Sequence, residues 1–90
     1  MRVVKDKEFS VKLFNILKFI AKDKKSATIK FEMELERKIE SITTFPYKYR
    51  KSVYFDDEAY RDLIHMGYTI IYKVQDDTIV ILEIFKWQSR

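Results

Sequence analysis

The residues able to do chemistry are few, and most catalytic arrangements fail on them. One histidine, His65, and no cysteine leave a zinc or other N/S-ligated metal site without enough ligands. A Ser–His–Asp arrangement would depend on His65, which lies between Ile64 and Met66 at an expected strand end and reads as a partly exposed turn histidine. Asp56-Asp57-Glu58 are three adjacent acids that do not face one way, so they read as a solvated turn. Gly67 is the only glycine, which excludes a phosphate-cradling loop of the Walker or dinucleotide type. No metal and no cofactor are expected. What remains is a set of cations and phenols: Arg50, Arg61, Lys73 and Lys86, with Tyr47, Tyr49, Tyr54, Tyr60, Tyr68 and Tyr72. On one sheet face they would suit a nucleic-acid backbone with stacked bases. They would suit an amphipathic partner peptide equally well, and the sheet tyrosines also read as core or rim residues. Trp87, beside Lys86 and close to Arg90, is either a further docking residue or a lid over the sheet.

The elements that must position these groups follow from periodicity. Residues 2–5 read as a short strand. Phe9, Leu13, Ile16, Leu17 and Ile20 then form one apolar stripe at helical spacing. Asp23-Lys24-Lys25-Ser26 interrupts it, with Asp23 and Ser26 as candidate caps. A second helix to about Thr43 carries Ala27, Phe31, Leu35, Ile39 and Ile42 on one face. Two amphipathic helices with so short a link predict an antiparallel hairpin. Phe14 and Phe19 fall off the first stripe and are expected to form an exposed patch.

Pro46 ends the helical region, and 45–50 reads as a loop with Tyr47 and Tyr49 as anchors. Val53-Tyr54-Phe55 is β-prone. Three strands follow, Tyr60–Ile64, Tyr68–Val74 and Ile79–Phe85, joined by short turns into a meander. Ile79–Leu82 is apolar throughout, as in a central strand covered on both faces. The predicted fold is α+β: an N-terminal antiparallel helical hairpin packed on a small, mainly antiparallel β-sheet. Its second face is expected to be a partly open concavity.

Composition sets the bounds. Ninety residues make a single domain, 1–90. No run approaches the roughly 18 apolar residues of a membrane span, and no signal-peptide core precedes Asp6. With no cysteine, this fits a soluble protein of the reducing cytoplasm. The net charge of +4 is unevenly spread: residues 1–30 hold nine Lys or Arg against three acids. A basic half favours phosphate backbones or an acidic protein segment.

The sequence Arg61-Asp62-Leu63, then Gly67-Tyr68-Thr69-Ile70-Ile71-Tyr72-Lys73-Val74, then Ile79-Val80-Ile81-Leu82-Glu83-Ile84, resembles toxins of the RelE/ParE superfamily of bacterial type II toxin–antitoxin systems. So does the order of a short strand, a hairpin with the run Ala27–Ile39, and a Phe45-Pro46 loop leading to Arg50. Tyr49 departs from the glycine usual before that arginine. The resemblance implies either of two activities. RelE-like members cleave messenger RNA on the ribosome, with cations on the strands neutralising the developing phosphorane charge. Of their expected groups only Arg61 is retained. Leu63 stands where a second Lys belongs, Thr69 where the key Arg follows Gly67-Tyr68, and no C-terminal Tyr or His appears by Arg90. That argues against an RNA-cleaving enzyme and for the ParE-like branch, which poisons DNA gyrase by binding it. The partners implied are a cognate antitoxin and DNA gyrase, with the ribosome and its messenger as the alternative; a catalytically inert antitoxin-binding module is a third reading. The residues expected to touch the target are Arg50, Arg61, Lys73, Lys86, Tyr47, Tyr49 and Trp87, with Phe14 and Phe19 facing the antitoxin.

Overall fold

A computed structural model describes residues 1–86; Trp87 and the three residues after it lie outside the described residues. Strand β1 (Arg2–Lys5) leads into helix α1 (Lys7–Asp23) through Asp6, whose carboxylate caps the helix by accepting from the Glu8 N–H at 2.9 Å. Helix α2 (Lys25–Thr44) begins after a single residue. Lys24 is extended (φ −155°, ψ 117°), and its N–H closes α1 on the Ile20 carbonyl. Neither expected cap is used at this junction. Asp23 ends α1 and Ser26 lies inside α2, so neither has the non-helical backbone that an N-cap requires. The Thr28 hydroxyl donates to the Leu17 carbonyl and ties the two helices together. Helix α2 stops at Phe45, the residue before Pro46, where helical backbone is disfavoured.

Four further strands complete one sheet: β2 (Arg50–Lys51), β3 (Tyr60–His65), β4 (Tyr68–Gln75) and β5 (Thr78–Lys86). Their order is β1-β5-β4-β3-β2, with β1 parallel to β5 and every other pair antiparallel. The predicted meander is present. Its first turn is two residues, Met66 and Gly67, both at positive φ (48° and 86°), the geometry that matches strand twist in a tight hairpin. The centre of the sheet is β4, whereas β5 lies between β4 and β1. The apolar run in β5 has a local cause. Ile71 pairs with Glu83 and Tyr72 with Ile81, so Leu82 is an extra, bulged residue. The bulge keeps Ile79, Ile81 and Ile84 all on the helix side, while Val80 and Leu82 remain half-exposed.

The hairpin covers one face. Phe9, Leu13, Phe31, Leu35, Ile39 and Ile42 meet Leu63, Ile70, Tyr72, Val74, Ile79, Ile81 and Ile84 in a single core. The opposite face is not the open concavity expected from the sequence. The β-prone stretch Val53-Tyr54-Phe55 forms no strand. It leaves β2 and crosses that face as a strap, with the Tyr54 ring edge-on to Phe85 (5.2 Å) and Phe55 stacked on Tyr60 (4.2 Å). Ile71, Thr69 and Asp62, which point to this side, are all buried.

Candidate functional site: a basic aromatic rim

The α2–β3 connection carries the densest group of expected site residues. Phe45 and Tyr47 project into solvent and, with Thr44, Pro46 and Lys48, line a shallow groove of about 620 Å³. The loop is held from below by Tyr72, a core residue whose hydroxyl donates to the Pro46 carbonyl at 2.7 Å. Burial pushes the Tyr72 phenol up to about 12, so it remains a neutral donor throughout the physiological range.

Four of the expected residues meet here, Tyr47, Tyr49, Arg50 and Arg61, but their roles divide. Arg61 is a clamp. Its guanidinium donates to the Tyr49 carbonyl (3.2 Å), the Glu58 carbonyl (3.0 Å) and the Glu58 carboxylate (3.0 Å), and it lies 4.7 Å from the Tyr47 ring centroid. With its side chain only 13% exposed, it has little left to offer a target. Tyr49 packs against the core. Arg50 is half-exposed and pairs at 3.3 Å with Asp62, a carboxylate with no solvent access. The groups free for contact are therefore Phe45, Tyr47, Lys48 and the outer part of Arg50.

The other expected target residues lie elsewhere. Lys73 points to the strap side with its ammonium 5.2 Å from the Tyr60 ring. Lys86 is exposed at the far end of β5, opposite Tyr68. The four cations thus do not form one patch, because adjacent strand positions alternate between faces and β5 ends far from the loop. Phe14 and Phe19 are both exposed, yet five residues along a helix turn them about 140° apart, so they form two patches rather than one.

Two functional details were hidden from sequence reasoning. Asp62 organises the strap: its Oδ2 accepts from the Val53 N–H (3.0 Å) and faces Arg50. An acid at an alternating inward position of a strand is the only sequence signal. His65 is not a partly exposed turn residue. It is buried, with Nε2 3.0 Å from the Phe31 carbonyl and its ring edge-on to Phe31. Burial lowers its pKa, so it is neutral and donates from Nε2. The acidic turn does what a solvated turn does: Asp57 accepts from the Ala59 N–H, and Asp56 and Glu58 reach Lys51 and Arg61. No group of three or more potential metal ligands converges among the described residues.

The two positions to which the resemblance assigns nucleolytic cations, Leu63 and Thr69, are filled and closed. Leu63 is wholly buried in the core under the helices. Thr69 is wholly buried on the strap side, between Ile64 and Phe85.

The chain is thus a helical hairpin over one face of a five-stranded mixed sheet, and this fold is not particular to it. It is shared with a solved structure described as the chromosomal ParDE TA system from P. aeruginosa, at a TM-score of 0.76 over 98% of this chain and 97% of that one, with 14% identity. A search of curated protein sequences gives no match. Residues 3–88 match the family described as the ParE toxin of type II toxin-antitoxin system, parDE, and the chain belongs to that family.

Proposed function

We propose that this toxin acts by binding DNA gyrase and trapping its cleaved DNA complex, and that a cognate antitoxin neutralises it. The observation that carries this is the state of the strand positions. Leu63 and Thr69 are buried, and Arg61 is engaged within the protein, so among the described residues no cationic set stands at these strand positions. Phosphorane stabilisation requires preorganised donors aimed at the reacting phosphate, and these contribute several kcal/mol of barrier, about 3 kcal/mol each. The side chains presented instead are those of a protein-binding surface: exposed Phe45 and Tyr47 flanked by Lys48 and Arg50. Among the described residues no helix is long and apolar enough to cross a membrane, which suits a target in the cytoplasm.

The antitoxin has two features to use. β1 is an edge strand whose outer side is unpaired and able to accept an added strand. Phe14 gives it an exposed aromatic anchor on α1. Purified chain incubated with gyrase, supercoiled plasmid and ATP, then treated with detergent and protease, is expected to yield linear DNA, and the antitoxin is expected to abolish it. Absence of linear product at saturating chain overturns the gyrase reading.

A further inference from the structure

The positive charge of this molecule is concentrated at one end. Residues 18–30, the bend of the helical hairpin and the turns beside it, contain Lys18, Lys22, Lys24, Lys25 and Lys30 against Asp23 alone. Five minus one gives +4, the net charge of the whole chain, so the remaining residues sum to zero. All five lysines are exposed. Among the described residues none of them pairs with a carboxylate, whereas Lys5, Lys12, Arg50, Lys51 and Arg61 all do.

The fold separates this end from the acidic turns, and the nearest acids beyond it in sequence are Glu32 and Glu34, which follow Lys30 on α2. Phe31 packs on His65 and Tyr68 at the end of the sheet where β5 finishes at Lys86. From there α2 runs back across the sheet until Ile39 and Thr43 lie beside Val3 on β1. The hairpin bend therefore extends past the Tyr68–Lys86 end and adds Lys86 to its charge. Asp76 and Asp77 form the turn at the opposite end, where the Arg2 N–H meets the Asp77 carbonyl. Asp56, Asp57 and Glu58 sit near that same end, since the Ala59 carbonyl accepts from the Val74 N–H. A molecule so polarised turns its basic end toward a polyanion as it approaches.

We infer that the hairpin bend is a docking surface for the phosphate backbone of double-stranded DNA. An acidic protein segment is the competing occupant, and the side chains decide against it. Exposed Phe19 and Ile29 lie among these charges, but protein interfaces are depleted in Lys, and five lysines without a carboxylate partner among the described residues outnumber the two apolar side chains. Here the cations are all lysines, compact point charges on flexible stems that suit phosphates without fixed geometry. Lys18 and Lys22 are one turn apart, about 6 Å along the helix, within reach of neighbouring phosphates on one strand, which are spaced about 3.4 Å along the axis. The surface contacts charge alone, so it has no means of choosing a base sequence. It is distinct from the rim and stands whether or not gyrase is the target. If gyrase is the target, the surface would let the toxin hold the DNA as well as the enzyme.

The test is fluorescence anisotropy of the purified full chain with a labelled random-sequence duplex, without gyrase, across a salt series. The wild-type chain is expected to bind, with affinity falling as salt rises; three phosphate contacts give a slope of log K against log salt of about −2.7. The variant Lys22→Gln/Lys24→Gln/Lys25→Gln is expected to lose about half of that slope, with Lys18, Lys30 and Lys86 holding the rest. A control with the same charge change elsewhere, Lys7→Gln/Arg37→Gln/Lys51→Gln, is expected to keep it. Equal weakening in both variants would mean diffuse attraction by net charge and would overturn the site. So would polyglutamate competing as well as unlabelled DNA at matched charge, or no binding at low salt.

Discussion

Two basic regions of this toxin, one built on arginines and one on lysines, are put to opposite uses. At the rim, Arg50 and Arg61 are spent inside the protein: one neutralises the buried Asp62, the other clamps Glu58, Tyr49 and Tyr47. At the hairpin bend, Lys18, Lys22, Lys24, Lys25 and Lys30 carry no carboxylate partner among the described residues. Positive charge alone does not separate these cases. Partners do. A cation on a strand beside an acidic turn is drawn into structure, whereas a lysine on a bare helix end stays available to something outside.

The largest effect expected from breaking this contrast is at Asp62. Asp62→Ala removes a buried charge-assisted hydrogen bond to Val53 and the partner of Arg50. It should lower unfolding free energy by about 3 kcal/mol and speed amide exchange at Val53, as followed by denaturant melts and hydrogen exchange. A loss under about 0.5 kcal/mol would mean that the strap is held by its aromatic contacts alone. Next is Tyr72→Phe, which leaves the Pro46 carbonyl without its donor and should cost about 1 kcal/mol while loosening the 45–49 loop. Weakened gyrase inhibition at full secondary structure would link that loop to the target; unchanged inhibition would move the target surface elsewhere.

His65 gives a smaller, pH-dependent effect. Its pKa in the fold is depressed by burial, so the unfolded chain takes up the proton first as pH falls. The stability contributed by neutral His65 is complete above the unfolded value of about 6.5, declines below it, and levels off once pH passes the folded-state pKa. Thermal melts from pH 7.5 to 5 should show that decline, and His65→Leu should flatten it. A wild-type chain equally stable across the range would contradict the buried placement. Smallest of all, the triple glutamine variant at Lys22, Lys24 and Lys25 should leave stability within about 0.5 kcal/mol of wild type, because those side chains make no ion pair among the described residues and only Lys22, in the last turn of α1, meets a helix dipole favourably. A larger loss would show that they are structural after all, like the rim arginines.

The elements that follow local pattern were readable in advance. The stripe from Phe9 to Ile20, the second face from Phe31 to Ile42, and the β-branched runs around Gly67 each announce their period within a dozen residues. The strap was not readable. Val53-Tyr54-Phe55 has strand propensity, and what overrides it is long-range: a carboxylate nine residues on that takes the Val53 N–H, and Phe85 meeting the Tyr54 ring. The burial of His65 depends likewise on the carbonyl of Phe31, thirty-four residues earlier. For the site, the structure brings Tyr47 and Tyr49 of the loop near Arg50 of β2 and Arg61 of β3, but their division into clamp and contact depends on partners that spacing does not show. Lys73 and Lys86 were grouped with them by charge alone, and the sheet sets them apart.

The proposed mode of action, inhibition by binding rather than by cutting RNA, is open to one experiment. The direct test runs one preparation of wild-type chain and of Phe45→Ser/Tyr47→Ser in two assays: gyrase with supercoiled plasmid, and translating ribosomes with a labelled messenger. Linear DNA from the wild-type chain, loss of it in the double variant, and an intact messenger in both is the result predicted here. Messenger cut on the ribosome with no linear DNA would contradict the claim and would require the strap to open over Thr69.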